Sequence, residues 1–388
     1  MMPIAIIEID NPEHLLVWPI EIAAGEIDRW LRFGSAKGYR GQEWASAVTT
    51  VLTAAFSGPA LVQEFEAQER SITYQAPVSQ AQLRWLSSLR GELGFARRAT
   101  APRPLWSKRG GSGRQPLDLG QTVTRFLRLV GSLAQRQSLW TETFGVNCPD
   151  GVGDPDEPAH ELFLRLLDSS VVGTESWPLD IAASANWTAD ELFDVMEVLH
   201  DMASWPATWS GHNYGGCIGH PGSFSPTCGR ALYRHEMNQL LKTSSLGVQM
   251  AMHGEDVGRV ILHSGGPVDD LIDSASATAP VTHQADIEHA IALFRSRDRD
   301  VPSMRSAIVT VAGVLEANRN LLKDELLTGD ESALFQIVNT FNLRHRNADQ
   351  RTDFDPVFLE WIFHSFLATA GLIGRLQRRA TPRDDDRS

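Results

Sequence analysis

The stretch NLRHRNADQRTD, residues 342–353, places four groups that can carry positive charge, Arg344, His345, Arg346 and Arg351, within eight residues. Arginine presents a planar fork that matches phosphate oxygens, and histidine gives or takes a proton near neutral pH. The set suits metal-free cleavage of RNA. Arg344 or Arg346 would hold the phosphate, His345 would act as general acid or base, and Asn347, Gln350 and Arg351 would bind or orient the neighbouring groups. A plainer reading stays open. The preceding helix should end near Leu343, and cations in a last helical turn are favoured by about 0.3–1 kcal/mol each, because the backbone carbonyls there carry partial negative charge. That explains Arg344, His345 and Arg346 without any function. It explains less well why Asn347, Gln350 and Asp353 follow at once, in a short connection pinned by Asp355-Pro356.

A second constellation is His212, Cys217, His220, Cys228 and His235, written H-x4-C-x2-H-x7-C-x6-H. Each could ligate zinc, and a glycine-rich loop gains order from a metal clip. The spacing matches no familiar zinc finger, so the alternatives are a structural zinc held by His212, Cys217, His220 and Cys228, or a packed loop with no cofactor. A third feature is RRATAPRPLWSKRGGSGRQP (97–116), with six basic residues around Trp106. It could grip nucleic acid, but its proline and glycine content suits an exposed linker better. Its KRGGSGR lacks the Gly-Lys-Ser/Thr ending of a phosphate-binding loop. His364, among aromatic residues, reads as a core histidine.

These residues need elements to position them. IAIIEID at the start has strand character. Helical periods run over 25–33, 43–55, 80–95, 118–140 and 158–170. The best-signed helix is 188–204, where Thr188 and Glu191 form a capping box and Leu192, Val195, Met196, Leu199 and Met202 share one face. Residues 205–230 show no period. A helix follows from Ala231, and then a β-hairpin over 247–262 turns at His253-Gly254-Glu255-Asp256. The last hundred residues predict four helices with short connections: one from Ala285; one from Pro302 bearing Met304, Ile308, Val311, Leu315, Leu322 and Leu326; one after Gly329-Asp330; and one from Asp355-Pro356 to the region of Arg379. The expected fold is mainly α, with an antiparallel helical bundle at the C-terminus, a small β-hairpin and a short N-terminal strand. Expected divisions are an N-terminal helical domain (1–98), a basic linker (99–117), a middle helical region with the glycine-rich loop and hairpin (118–280), the bundle (281–379) and a charged, disordered tail (380–388).

Composition narrows the classes. At 388 residues the chain is 42% hydrophobic and 21% charged, as globular proteins are. A net charge of -13 excludes general coating of nucleic acid, so any such contact needs a local basic patch. Three cysteines are too few for a disulfide framework, which points to a reducing cytoplasm. The N-terminus lacks the basic start of a signal peptide, and no run nears ~18 uninterrupted apolar residues, so no membrane span is expected. Eleven tryptophans suit a large apolar core.

Two stretches carry a resemblance: GHNYGGCIGHPGSF…GRALYRHEMNQLL, and ESALFQIVNTFNLRHRNADQRTDFDPVFLEWIFHSFLATAGLI. They resemble a largely uncharacterised bacterial family with an I-R-H-x-N…Q…D-Y/F-D element before an aromatic last helix, over roughly residues 188–378, about half the chain. More distantly, the C-terminal element is similar to HEPN-type bundles of toxins, abortive-infection proteins and other phage-defence systems. Several of those are metal-independent ribonucleases built on an arginine and a histidine with four to six residues between them, paired across a dimer. Arg344 matches the arginine. Asp349, Gln350 and Arg351 stand where the histidine should fall, so His345 would have to replace it. The resemblance implies a cytoplasmic protein that binds RNA or a nucleotide, extending to metal-independent ribonuclease activity, and a homodimer through the C-terminal helices. The alternative is a non-enzymatic interaction or dimerisation module.

Overall fold

A computed structural model of the chain describes residues 6–36, 41–69, 76–97, 115–145, 157–167, 186–210, 220–263, 267–296, 300–326, 329–340 and 357–380, with 171, 173, 174, 177 and 179. The described residues are mainly helical, and their β structure is two separate two-stranded sheets. Contacts divide the chain into two compact units, Met1–Leu246 and Gly247–Ser388.

In the first unit, several helices, though not all, start where a side chain offers an acceptor for orphan backbone N–H groups. α1 (Ile20–Ser35), α2 (Gly41–Ala55) and α3 (Ala60–Ala67) precede α4 (Gln80–Glu92), which is capped by Ser79. Asp118 caps α5 (Leu119–Arg136) at Gln121 N, 2.8 Å. α6 (Thr141–Phe144) and α7 (Glu157–Leu166) lead to α8 (Ala189–Met202), which starts on the expected Thr188–Glu191 capping box and buries Leu192, Val195, Met196 and Leu199. Tryptophan fills the core, as composition suggested. Trp30 and Trp44 are buried, Trp44 Nε1 donates to Trp30 O at 2.7 Å, and Phe65 lies between Trp44 and Trp85 at 5.8 and 5.7 Å.

Three expectations change here. Ile6–Asp10 form bends and turns rather than a strand, with the N–H groups of Ile6 and Ile7 both donating to Glu92; residues 1–5 lie outside the described residues. Residues 205–225, read as aperiodic, contain an antiparallel pair, β1 (Trp205–Ser210) and β2 (His220–Ser225). Pro206, Pro221 and Gly222 mask the strand signal, and register shifts at Pro206/Thr208 and Thr208/Trp209 break its two-residue period. α9 (Pro226–Leu241) therefore starts earlier than Ala231, on a Ser225 cap with proline in its first turn.

The second unit opens with the hairpin β3 (Val248–Met250) and β4 (Val260–Leu262), paired Val248↔Leu262 through Met250↔Val260. In β4 the buried residue is Ile261, with Val260 half-buried and Leu262 exposed. Next come α10 (Pro267–Thr278), α11 (Gln284–Arg295), α12 (Val301–Ala317), α13 (Arg319–Glu325), α14 (Asp330–Thr340) and α15 (Val357–Ala380). Met304, Ile308, Val311, Leu315 and Leu322 are all buried, although the helix expected to carry them breaks at Asn318, whose side chain bonds back to Val314 O. The helix before it ends at Glu325 on an extended Leu326, and Gly329, at φ 103°, stands at the start of α14, where its carbonyl accepts from Ala333 N at 2.9 Å. α10 was not anticipated. It packs on α15, which also packs on α12, while α11 pairs with α12. Phe294 of α11 and Phe363 of α15 stack at 3.9 Å with their planes 6° apart.

By length and composition alone, Val357–Arg379 would suffice to cross a membrane; half of its apolar window is buried in its own unit. A Cβ on Gly374 would collide with the Thr278 carbonyl, whereas one on Gly313 of α12 meets nothing within 4 Å. Gly374→Ala should therefore destabilise the second unit by about 1–3 kcal/mol, and Gly313→Ala should stabilise it by about 0.5–1 kcal/mol. Urea denaturation of the full chain checks the pair, and equal effects of one sign would contradict the packing.

Candidate functional site

Arg344, His345, Arg346, Asn347, Gln350 and Arg351 lie outside the described residues, as does all of 341–356. What the structure gives is their frame. On the N-terminal side, α14 is anchored by Phe335, 6% exposed, over which the Arg319 guanidinium sits 4.6 Å from the ring centroid. On the C-terminal side, α15 is anchored by Leu359, Ile362, Phe363 and Phe366, each 0% exposed. Val357, Phe358 and Trp361 on its first turns are exposed. His364 is half-buried and sits edge-on to Phe294 and Phe363, at 5.5 and 5.8 Å, at the edge of the core.

Of the zinc constellation, His212 and Cys217 lie outside the described residues. His220 opens β2, and His235 lies on α9. Cys228 is a buried free thiol in the first turn of α9. Burial, then the nearby Glu26 carboxylate, push its pKa well above the usual thiol value, so it stays protonated. Among the described residues, no group of three or more His, Cys, Asp and Glu side chains could hold a metal ion. In the basic stretch, Arg97 reaches Asp10 at 3.3 Å, and 98–114 lie outside the described residues.

Two polar nodes escaped the sequence reading. In one, the buried Glu26 of α1 accepts from Ser225 Oγ at 2.6 Å and from Arg29 Nη1 at 3.3 Å. Ser225 in turn accepts from Cys228 N at the start of α9, and Arg29 Nη2 donates to Phe224 O at 3.3 Å. A carboxylate is thus tied to a helix N-terminus, where negative charge is favoured.

The other node joins α8 to α9. His200 Nδ1 donates to Asp201 Oδ1 at 2.9 Å, and His200 Nε2 accepts from Arg234 Nη1 at 2.8 Å. Arg230 Nη2 donates to Asp201 O at 2.7 Å, and Tyr233 OH donates to Met196 O. One tautomer of neutral imidazole satisfies both of its bonds. Burial lowers the His200 pKa from 6.5 to about 4; the Asp201 hydrogen bond opposes that shift, and the Arg234 charge adds to it. With both nitrogens engaged, His200 has no free base to offer a substrate.

In the second unit, a small cavity of about 50 Å³ lies under the hairpin turn, lined by Glu255, Asp256, Glu288 and Arg295. His289 of α11 reaches Glu255 there at 3.1 Å.

No protein family, curated protein or solved structure matches the chain.

The depressed His200 pKa has a fixed sign. The unfolded chain takes up a proton near pH 6.5 that the folded chain refuses until about 4, so this contribution to stability is full above 6.5 and lost as pH falls to about 4. The shift corresponds to roughly 3 kcal/mol. His200→Gln should lack that share of the pH dependence in urea denaturation across the range. A slope equal to that of the unmutated protein would contradict the assignment.

Proposed function

We propose that the chain is a bacterial defence- or toxin-type protein whose C-terminal helical unit, HEPN-like in character, binds RNA or a nucleotide through the segment between α14 and α15 and cleaves RNA without a metal. One observation carries the reading. Three arginines and one histidine fall within eight residues of a chain of net charge -13, directly between two helices anchored in a buried core. Arg344 and Arg346 hold phosphate, Asn347, Gln350 and Arg351 complete the contact, and His345 moves the proton.

The exposed Val357, Phe358 and Trp361 at the start of α15 favour a second reading, in which this end of the helix drives dimerisation and the cationic segment contacts a partner protein.

Incubation of purified protein with total RNA and tRNA in EDTA separates the readings. Cleavage is expected from the unmutated chain and not from Arg344→Ala or His345→Ala. If the segment binds without cleaving, Arg344→Ala should still weaken RNA binding and reduce the slope of log affinity against log salt by roughly 1. RNA binding that neither arginine affects would remove the proposal. Loss of a dimer in Trp361→Glu without any RNA affinity would establish the interaction reading instead.

A further inference from the structure

A groove of about 880 Å³ runs along the first unit, lined by α2, α3, β1 and the turn after α5. Its volume falls in the range of small-ligand sites, about 300–1,000 Å³. One wall is a face of α2 carrying Gln42, Ser46, Thr49, Thr50 and Thr53. Exposed helix faces ordinarily carry long charged side chains, and here short hydroxyl residues leave the groove clear. The Thr50 and Thr53 hydroxyls donate to the Ser46 and Thr49 carbonyls at 2.9 and 2.8 Å, so their remaining capacity is to accept.

Trp209 of β1 stands on another wall. Trp18, Trp30, Trp44, Trp85 and Trp140 are buried in the core of this unit, whereas Trp209 keeps part of its surface open. Glu66, Glu69 and Arg136 supply the charges of the lining. Two carboxylates against one guanidinium leave the groove net negative, which disfavours phosphate and nucleic acid. Ser138 also lines it, at φ 54°. Glycine takes that conformation at lower cost, and the residue held there brings a hydroxyl.

An aromatic face, acceptor hydroxyls, the amides of Gln42, Gln82 and Gln137 and a carboxylate pair match a ligand rich in hydroxyl donors with an apolar C–H face. We infer that this groove binds a neutral oligosaccharide. Trp209 stacks on a sugar ring, while Glu66, Glu69 and the α2 hydroxyls accept from the sugar's own hydroxyl groups. This site is independent of the cationic segment in the second unit.

Calorimetric titration of the full chain with cellohexaose, maltohexaose, chitohexaose, laminarihexaose and xylohexaose, each at millimolar concentration, tests it. Saturable heat is expected with at least one sugar, and it should vanish in Trp209→Ala. It should vanish equally in Ser46→Arg, which fills the groove from an exposed helix position, with circular dichroism confirming that both variants stay folded. No heat from any of the five overturns the inference, and so does binding that survives both variants. Groove-dependent binding of an oligouridylate in place of the sugars overturns it too, because that would make the ligand a nucleic acid.

Discussion

Phe363 stacked on Phe294 couples α15 to α11, and the same buried side of α15 carries Leu359, Ile362 and Phe366 against the core formed with α10 and α12. The far end of the helix is tied down as well. Gln377 donates to Asn318 at the break between α12 and α13, Arg378 donates to Thr278 O, and Gly374 lets the backbones of α15 and α10 meet. A cationic segment can present a defined arrangement of guanidinium groups only if its two ends are held. Phe335 under Arg319 on one side and the aromatic core of α15 on the other supply that constraint. The functional reading of residues 344–351 therefore depends on apolar packing, since nothing in the net charge of the chain would hold cations together.

The first unit depends on polar contacts between residues far apart in sequence. Glu26 and Ser225 are separated by 199 positions, yet their hydrogen bond joins α1 to the start of α9 inside the core. His200 and Arg234, with the exposed Asp201 and Arg230, join α8 to α9. Buried polar groups are costly without partners, so the hydrogen bonds of Glu26 and His200 favour one packing of their helices.

Local signals were legible in the sequence wherever one short motif decides a boundary. The Thr188–Glu191 box, the helix start near Pro302 and the hairpin turn at Gly254 all act within a few residues, and the apolar stripe from Met304 to Leu322 is buried as its spacing implied. The missed elements lack such signals. β1 and β2 carry prolines, a glycine and register shifts that erase strand periodicity. α10 is short, and Ser274, Ala275, Ser276 and Ala277 in its second half give little apolar stripe. The hairpin was found, but a three-residue strand offers too few alternations to show from sequence that Ile261 is its buried residue. The groove beside Trp209 was not legible, because its walls come from residues scattered between Val17 and Trp209.

Cross-linking tests the central claim most directly. RNA carrying 4-thiouridine would be irradiated with the full chain, and the joined peptides located by mass spectrometry. The account expects adducts within residues 341–356, reduced when Arg344 and Arg346 are both replaced by alanine. Adducts confined to the basic stretch at 97–116, or none anywhere, would contradict it.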